Sequence, residues 1–171
     1  MKSINKLVLA AIFVALCVIG AYIKIMGSIA FDSMAAYLSA LILGPTWGAA
    51  IAAVGHMITA ATSGFPLTLP VHLATCLTMV LTMVVFFHVK KLACKKLSLV
   101  PSLVITVIAG ALMNGPVCLL ILSPLLVPIM GMPGIVAMMP VLTLVGGLNA
   151  AIAAIIYKLL PTSLTGDKLK S

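Results

Sequence analysis

The side chains of this sequence that could do chemistry are few, and they are scattered through an apolar chain. Asp32 is one of two acids, the other being Asp167. His56, Thr59 and Ser63 follow one another at three- and four-residue intervals, which puts them on one face of a helix. Phe65 and His72 come next, then Asn114 directly before Gly115-Pro116, and Asn149 within a run of glycine and alanine. Such a set offers hydrogen-bond donors and acceptors to a ligand more readily than it offers a reaction. General acid–base work usually pairs titratable groups, and the sequence has no glutamate and no second acid near Asp32. Cys17, Cys76, Cys94 and Cys118 lack the short pairwise spacing of zinc or redox sites and read as packing residues. Each polar residue also fits a plainer role. His56, His72 and Asn149 suit hydrogen bonds between membrane helices; Asn114 suits the carbonyls freed by Pro116, and Asp32 suits a solvated loop.

The elements that must hold these residues are set by composition. Of 171 residues 64% are hydrophobic and 7% charged, whereas a soluble domain carries about 25% charged residues. That excludes a water-soluble fold and implies an all-α integral membrane protein, read as one membrane domain over 1–171. All ten basic residues are lysines. They gather at Lys2 and Lys6, at Lys90, Lys91, Lys95 and Lys96, and at Lys158, Lys168 and Lys170, with Lys24 apart. Clusters of this kind mark cytoplasmic loops. No aromatic residues interleave with them as a nucleic-acid surface would require, so a nucleic-acid partner is excluded. The apolar run from Leu7 follows two lysines as a signal peptide would, but it exceeds ~7–15 apolar residues and reads as a first span. Leu16 is too bulky for lipidation at Cys17.

A helix needs about 20 apolar residues to cross the hydrocarbon core. Spans are expected at 7–26, 70–89, 101–122 and 141–160, and the stretch broken by Gly44-Pro45 supplies two more, at 31–43 and 46–62. Two spans there keep the first two lysine clusters on one side. The count is then six, with both termini cytoplasmic. The second span is short for a bilayer and is expected to be tilted or irregular. Pro124, Pro128, Pro133 and Pro140 make 123–140 too broken for a regular span and too apolar for a free linker, so it is expected to pack as a lid. A seven-span alternative would send the lysine-bearing tail outside, against the charge rule.

On this topology Asp32, His56, Thr59, Ser63, His72 and Asn114 fall in the outer half of the membrane, with Asn149 near the middle. Embedded polar groups are expensive, so they locate function. An outward-facing cavity is expected, walled by Phe31, Phe65 and the methionine-rich lid. It suits a small amphiphilic ligand.

With Ala11 and Ala15 one turn apart on the first span, the pattern resembles the substrate-binding S component of an energy-coupling factor (ECF) vitamin transporter. The stretches Phe31-Asp32-Ser33 to Leu43-Gly44-Pro45, Gly55-His56, and Gly64-Phe65-Pro66-Leu67-Thr68-Leu69-Pro70-Val71-His72 carry the resemblance. It implies a high-affinity binding subunit in the cell membrane, catalytically inert, working with a transmembrane T component and two cytoplasmic ATPases. The chain has no G-x-x-x-x-G-K-S/T phosphate loop, so ATP would be used by the partners and no cofactor is expected here. Ala11 and Ala15 would touch the T component. Metal-importing relatives carry an N-terminal histidine site, whereas this sequence reads Met1-Lys2-Ser3, which disfavours a metal substrate. Among vitamins the Gly64 to His72 stretch points to a cobalamin precursor such as alpha-ribazole, with other B vitamins and purine- or queuosine-type precursors open. The alternatives are a stand-alone secondary carrier or a small membrane enzyme using His56 and His72.

Overall fold

The computed structural model describes residues 3–25 and 29–165. Met26, Asp167 and the lysines at 2, 168 and 170 lie outside the described residues. Helices make up nearly all of it: α1 (Ser3–Ala21), α2 (Ser33–Leu43), α3 (Pro45–Thr62), α4 (Leu69–Ala93), α5 (Leu99–Leu112), α6 (Cys118–Leu159) and a final turn, α7 (Thr162–Thr165). Between α1 and α2 the backbone forms a two-residue antiparallel pairing, β1 (Lys24–Ile25) with β2 (Ile29–Ala30). The helix expected over 7–26 therefore stops at Ala21, where the chain turns into this hairpin.

Among the described residues three helical stretches are long and apolar enough to cross a membrane, at Ile4–Ala21, Leu69–Ala93 and Leu99–Leu159. The distribution of side chains is that of a protein solvated by lipid. Leu77 is 72% exposed and Ile4 76%, while Ser39, Ser102, Thr106 and Asn149 are fully buried. In water such a surface would associate; in a bilayer it meets hydrocarbon, and polar groups retreat inside. The buried hydroxyls donate to their own helices, Ser102 to Ser98 at 2.9 Å and Thr106 to Ser102 at 2.6 Å. That satisfies them without a neighbour.

Two features position the functional residues. The first is the short α2. Eleven residues rise about 16 Å, roughly half the hydrocarbon thickness. Starting from the Gly44 turn that joins α2 to α3, its first residues therefore end inside the bundle. Gly20 of α1 makes room there, because any β-carbon would strike the carbonyl of Phe31.

The second is the region from 113 to 140, where the expected irregular lid is corrected. After a wide π-helical turn at Met113–Val117, helix continues from Cys118 to Leu159, broken only at Gly131, whose φ of 66° and ψ of 171° suit glycine alone. Prolines at 124, 128, 133 and 140 are carried within it. Pro124 offers no amide to the carbonyl of Leu120, and the Ser123 hydroxyl donates to that oxygen instead at 2.8 Å. Membrane helices tolerate proline by such repairs. The segment still covers the bundle: Leu126 and Ile135 are buried with Val71, Cys118, Leu119 and Leu122 in a hydrophobic cluster of their own.

Candidate functional site

The start of α2, the end of α3 and the start of α4 meet at one end of the bundle, because each of these helices reverses the direction of the one before. Lys6, Lys90, Lys91 and Lys158 belong to the other helix ends, where Lys90 reaches the Tyr157 hydroxyl at 3.3 Å. At the first end lies a cavity of about 120 Å³. Asp32, Ser33, His56, His72, Thr75 and Asn114 form its polar wall. Its apolar wall is built by Leu67, Val71 and Met79 and by the segment from Cys118 to Val145.

Asp32 is the residue on which the structure departs most from expectation. It is 7% exposed, so it is buried and not a solvated loop acid. The Thr59 hydroxyl donates to its Oδ2 at 2.6 Å and stands 3.0 Å from the Gly55 carbonyl. Asp32 is the N-cap residue of α2; its side chain makes no capping hydrogen bond, but its charge stands at the positive end of the helix dipole, where negative charge is favoured. His72 Nδ1 and His56 Nε2 are 3.2 Å apart and share one hydrogen bond. Phe65, at a positive φ of 50°, sets its ring against the edge of His72 with centroids 5.7 Å apart. His72 is 5% exposed, and its Nε2 has no hydrogen-bond partner among the described residues.

Asn114 is presented by the π-helical turn, whose extra residue per turn arises where Pro116 interrupts the regular ladder. The same turn sits against α6 through two glycines. A β-carbon on Gly146 would lie 2.5 Å from Asn114 Nδ2, and one on Gly115 would collide with Thr143. The close approach fixes the side of the helix from which Asn114 reaches the cavity.

Of the eight residues singled out from sequence, the structure brings Asp32, His56, His72 and Asn114 to the cavity wall. Thr59 and Phe65 stand behind them, holding Asp32 and His72. The other two are placed elsewhere. The Ser63 hydroxyl donates to the Thr59 carbonyl at 2.8 Å, and Asn149, fully buried, donates to Val145 of its own helix at 3.0 Å. A second, larger hollow of about 340 Å³ lies between α5 and the end of α6, but Lys158 is its one charged or hydrogen-bonding side chain. It lacks the converging polar groups that orient a ligand. Among the described residues no three His, Cys, Asp or Glu side chains gather to hold a metal ion.

Comparison with known families decides what kind of protein builds this cavity. The family model for the ECF transporter, substrate-specific component, matches residues 5–164. The chain belongs to this family. It is thus a multi-pass membrane protein and an S component, the subunit that gives an ECF transporter its substrate specificity. Neither the curated proteins nor the solved structures compared gave a significant match.

Within this S component, the residues that sequence reading missed are mostly the apolar ones facing the ligand-sized space. Met130 and Met138 belong to the methionine-rich segment expected as a wall, but Met79, Leu119, Leu122, Leu126 and Leu142 carry no polar signal. They become recognisable only once the helical path of 118–142 is known. Ser33 and Thr75 were hidden for another reason. Ser33 adjoins Asp32, and Thr75 donates to its own helix at Val71 O, 2.8 Å away, while still facing the cavity.

Proposed function

We propose that this S component binds a vitamin or vitamin precursor in the cavity between α2, α3, α4 and the α5–α6 hairpin. The carrying observation is the convergence of Asp32, His56, His72 and Asn114, drawn from four separate segments, on one largely apolar cavity. Such a wall orients a small ligand while the opposite side buries its ring. The cavity end faces outward, because the lysine-bearing helix ends mark the cytoplasmic side. In this reading the chain crosses the cell membrane six times, both termini are cytoplasmic, and α2 is the short span. Methionines at the covering segment adapt to the ligand's shape. An alpha-ribazole-type cobalamin precursor remains the first compound to try.

The chain itself performs no chemistry and needs no cofactor. A T component and two ATPases would supply the energy by hydrolysing ATP. Ala11 and Ala15 are exposed on the outer face of α1, opposite the buried Phe13 and Cys17, and form a flat patch on which the T component would seat. Uptake of labelled ligand by proteoliposomes holding the S component, T component and both ATPases tests this. Uptake should require internal ATP. Uptake that follows a proton gradient and ignores ATP would favour the alternative of a stand-alone carrier, for which the directly bonded His56–His72 pair would be the relay.

A further inference from the structure

We infer that the hollow between α5 and the end of α6 holds an acyl chain of an anionic phospholipid, whose headgroup is drawn to Lys158. This goes beyond the substrate reading and rests only on the chain's place in a membrane.

The hollow follows from the way the two helices cross. They touch where glycines face alanines: a β-carbon on Gly110 would lie 3.3 Å from that of Ala150, and one on Gly147 would lie 3.2 Å from that of Ala111. From this crossing they part toward the lysine-bearing end, and a space of about 340 Å³ opens between them. Leu103 and Ala154 are buried as its floor, while Val104, Ile108 and Ile155 stand exposed along its rim. From Val100 to Ile108 the α5 wall rises about 12 Å, most of the ~15 Å that half a bilayer's hydrocarbon provides. An apolar space of this kind gives water nothing to bond. In a membrane it is filled by a lipid chain lying along the same direction as its neighbours.

Charge selects the lipid. Lys158 lines the hollow, in the last turn of α6, and is exposed. Such a side chain keeps its methylenes on the apolar wall and carries its ammonium to the headgroup level. Lys91, Lys95 and Lys96 are exposed at the same end of the bundle, the last two in the turn leading into α5. The sequence has two acids, of which Asp32 belongs to the opposite end. Asp167 can neutralise one of these lysines and leaves the others, so the end stays positive whatever Asp167 does. Lysines at a membrane surface attract anionic headgroups.

The test reconstitutes the full chain in vesicles of equal parts phosphatidylglycerol and phosphatidylcholine with identical chains, extracts it in mild detergent, and identifies the retained lipid by mass spectrometry. Retained lipid should be enriched in phosphatidylglycerol about fivefold over the vesicles, the effect of one lysine beside an anionic headgroup. Lys158→Gln should return it to the vesicle ratio. Lys91→Gln removes the same charge from an exposed position off the hollow and should leave the enrichment intact. Ala151→Phe fills the hollow and should release the lipid. Retained lipid at the vesicle ratio in wild type overturns the inference, as does an equal loss in the two lysine variants, which would make the attraction a diffuse property of the basic end. An Ala151→Phe protein that keeps its lipid also overturns it, and if that protein no longer co-purifies with the T component the hollow is a docking surface for that partner. Should Ala151→Phe fail to fold, the two lysine variants decide alone.

Discussion

Replacing Thr59 by valine removes one hydroxyl from a fully packed position without changing its shape. The structure makes the consequence calculable. Thr59 is buried and donates at 2.6 Å to Asp32, itself buried at the start of α2. Hydrogen bonds to charged groups contribute about 1.5–3 kcal/mol. Thr59→Val should therefore destabilise the fold by about that amount, which lowers the melting temperature by roughly 3–12 °C for a chain of this size. Unfolding can be followed with a thiol-reactive fluorophore, since Cys17, Cys76 and Cys118 are buried in the native state. Asp32→Asn and the double variant complete a cycle that isolates the pair. A coupling of at least about 1 kcal/mol is expected. A Thr59→Val protein that melts within 1 °C of wild type (about 0.3–0.5 kcal/mol), with additive effects in the cycle, would refute the claim that this bond holds Asp32 in the cavity wall.

Three further outcomes follow from particular residues. Gly131→Ala forces a β-carbon into a glycine-only conformation at the break in α6 and should cost about 1–3 kcal/mol, read by the same melting assay. Gly146→Val drives a branched side chain against Asn114; it should weaken ligand binding more than tenfold with a stability loss of about 1–3 kcal/mol, checked by binding and melting together. Tryptophan at both Ala11 and Ala15 should abolish co-purification with the T component while leaving ligand affinity within threefold (about 0.7 kcal/mol); retained assembly would remove the basis for assigning that patch.

What could be read from the sequence was whatever leaves a mark in residue type. Hydrophobic runs and the Gly44-Pro45 break are visible as such, and the helices at Pro45–Thr62 and Leu69–Ala93 carry a proline at their first or second residue. Helical spacing put His56 and Thr59 on one face, and the structure uses that face: His56 lines the cavity and Thr59 holds Asp32. Spacing alone gave Ser63 the same standing, but its hydroxyl has a carbonyl of its own helix within reach. The Asn149 amide likewise donates within its own helix, to the Val145 carbonyl. The burial of Asp32 was illegible because it depends on the length of α2 and on Gly20 admitting the preceding backbone, neither of which is a local property of residue 32. The four prolines of 124–140 suggested a broken lid since proline interrupts helices in water; in lipid the backbone has no solvent to turn to and stays helical, with Ser123 repairing one gap.

Substrate held in the cavity walled by His72 and Asn114 makes both side chains necessary for binding. The most direct measurement is the affinity of a ligand, found by thermal-shift screening of B vitamins and their precursors, for wild type, His72→Leu, Asn114→Leu and Ser63→Ala. A ligand that binds only the folded state raises its melting temperature by mass action. At least a tenfold loss, about 1.4 kcal/mol, is expected in each of the two cavity variants, and an affinity within threefold of wild type for Ser63→Ala, whose hydroxyl serves its own helix. Unchanged affinity in both His72→Leu and Asn114→Leu would contradict it and move the binding site elsewhere in the molecule.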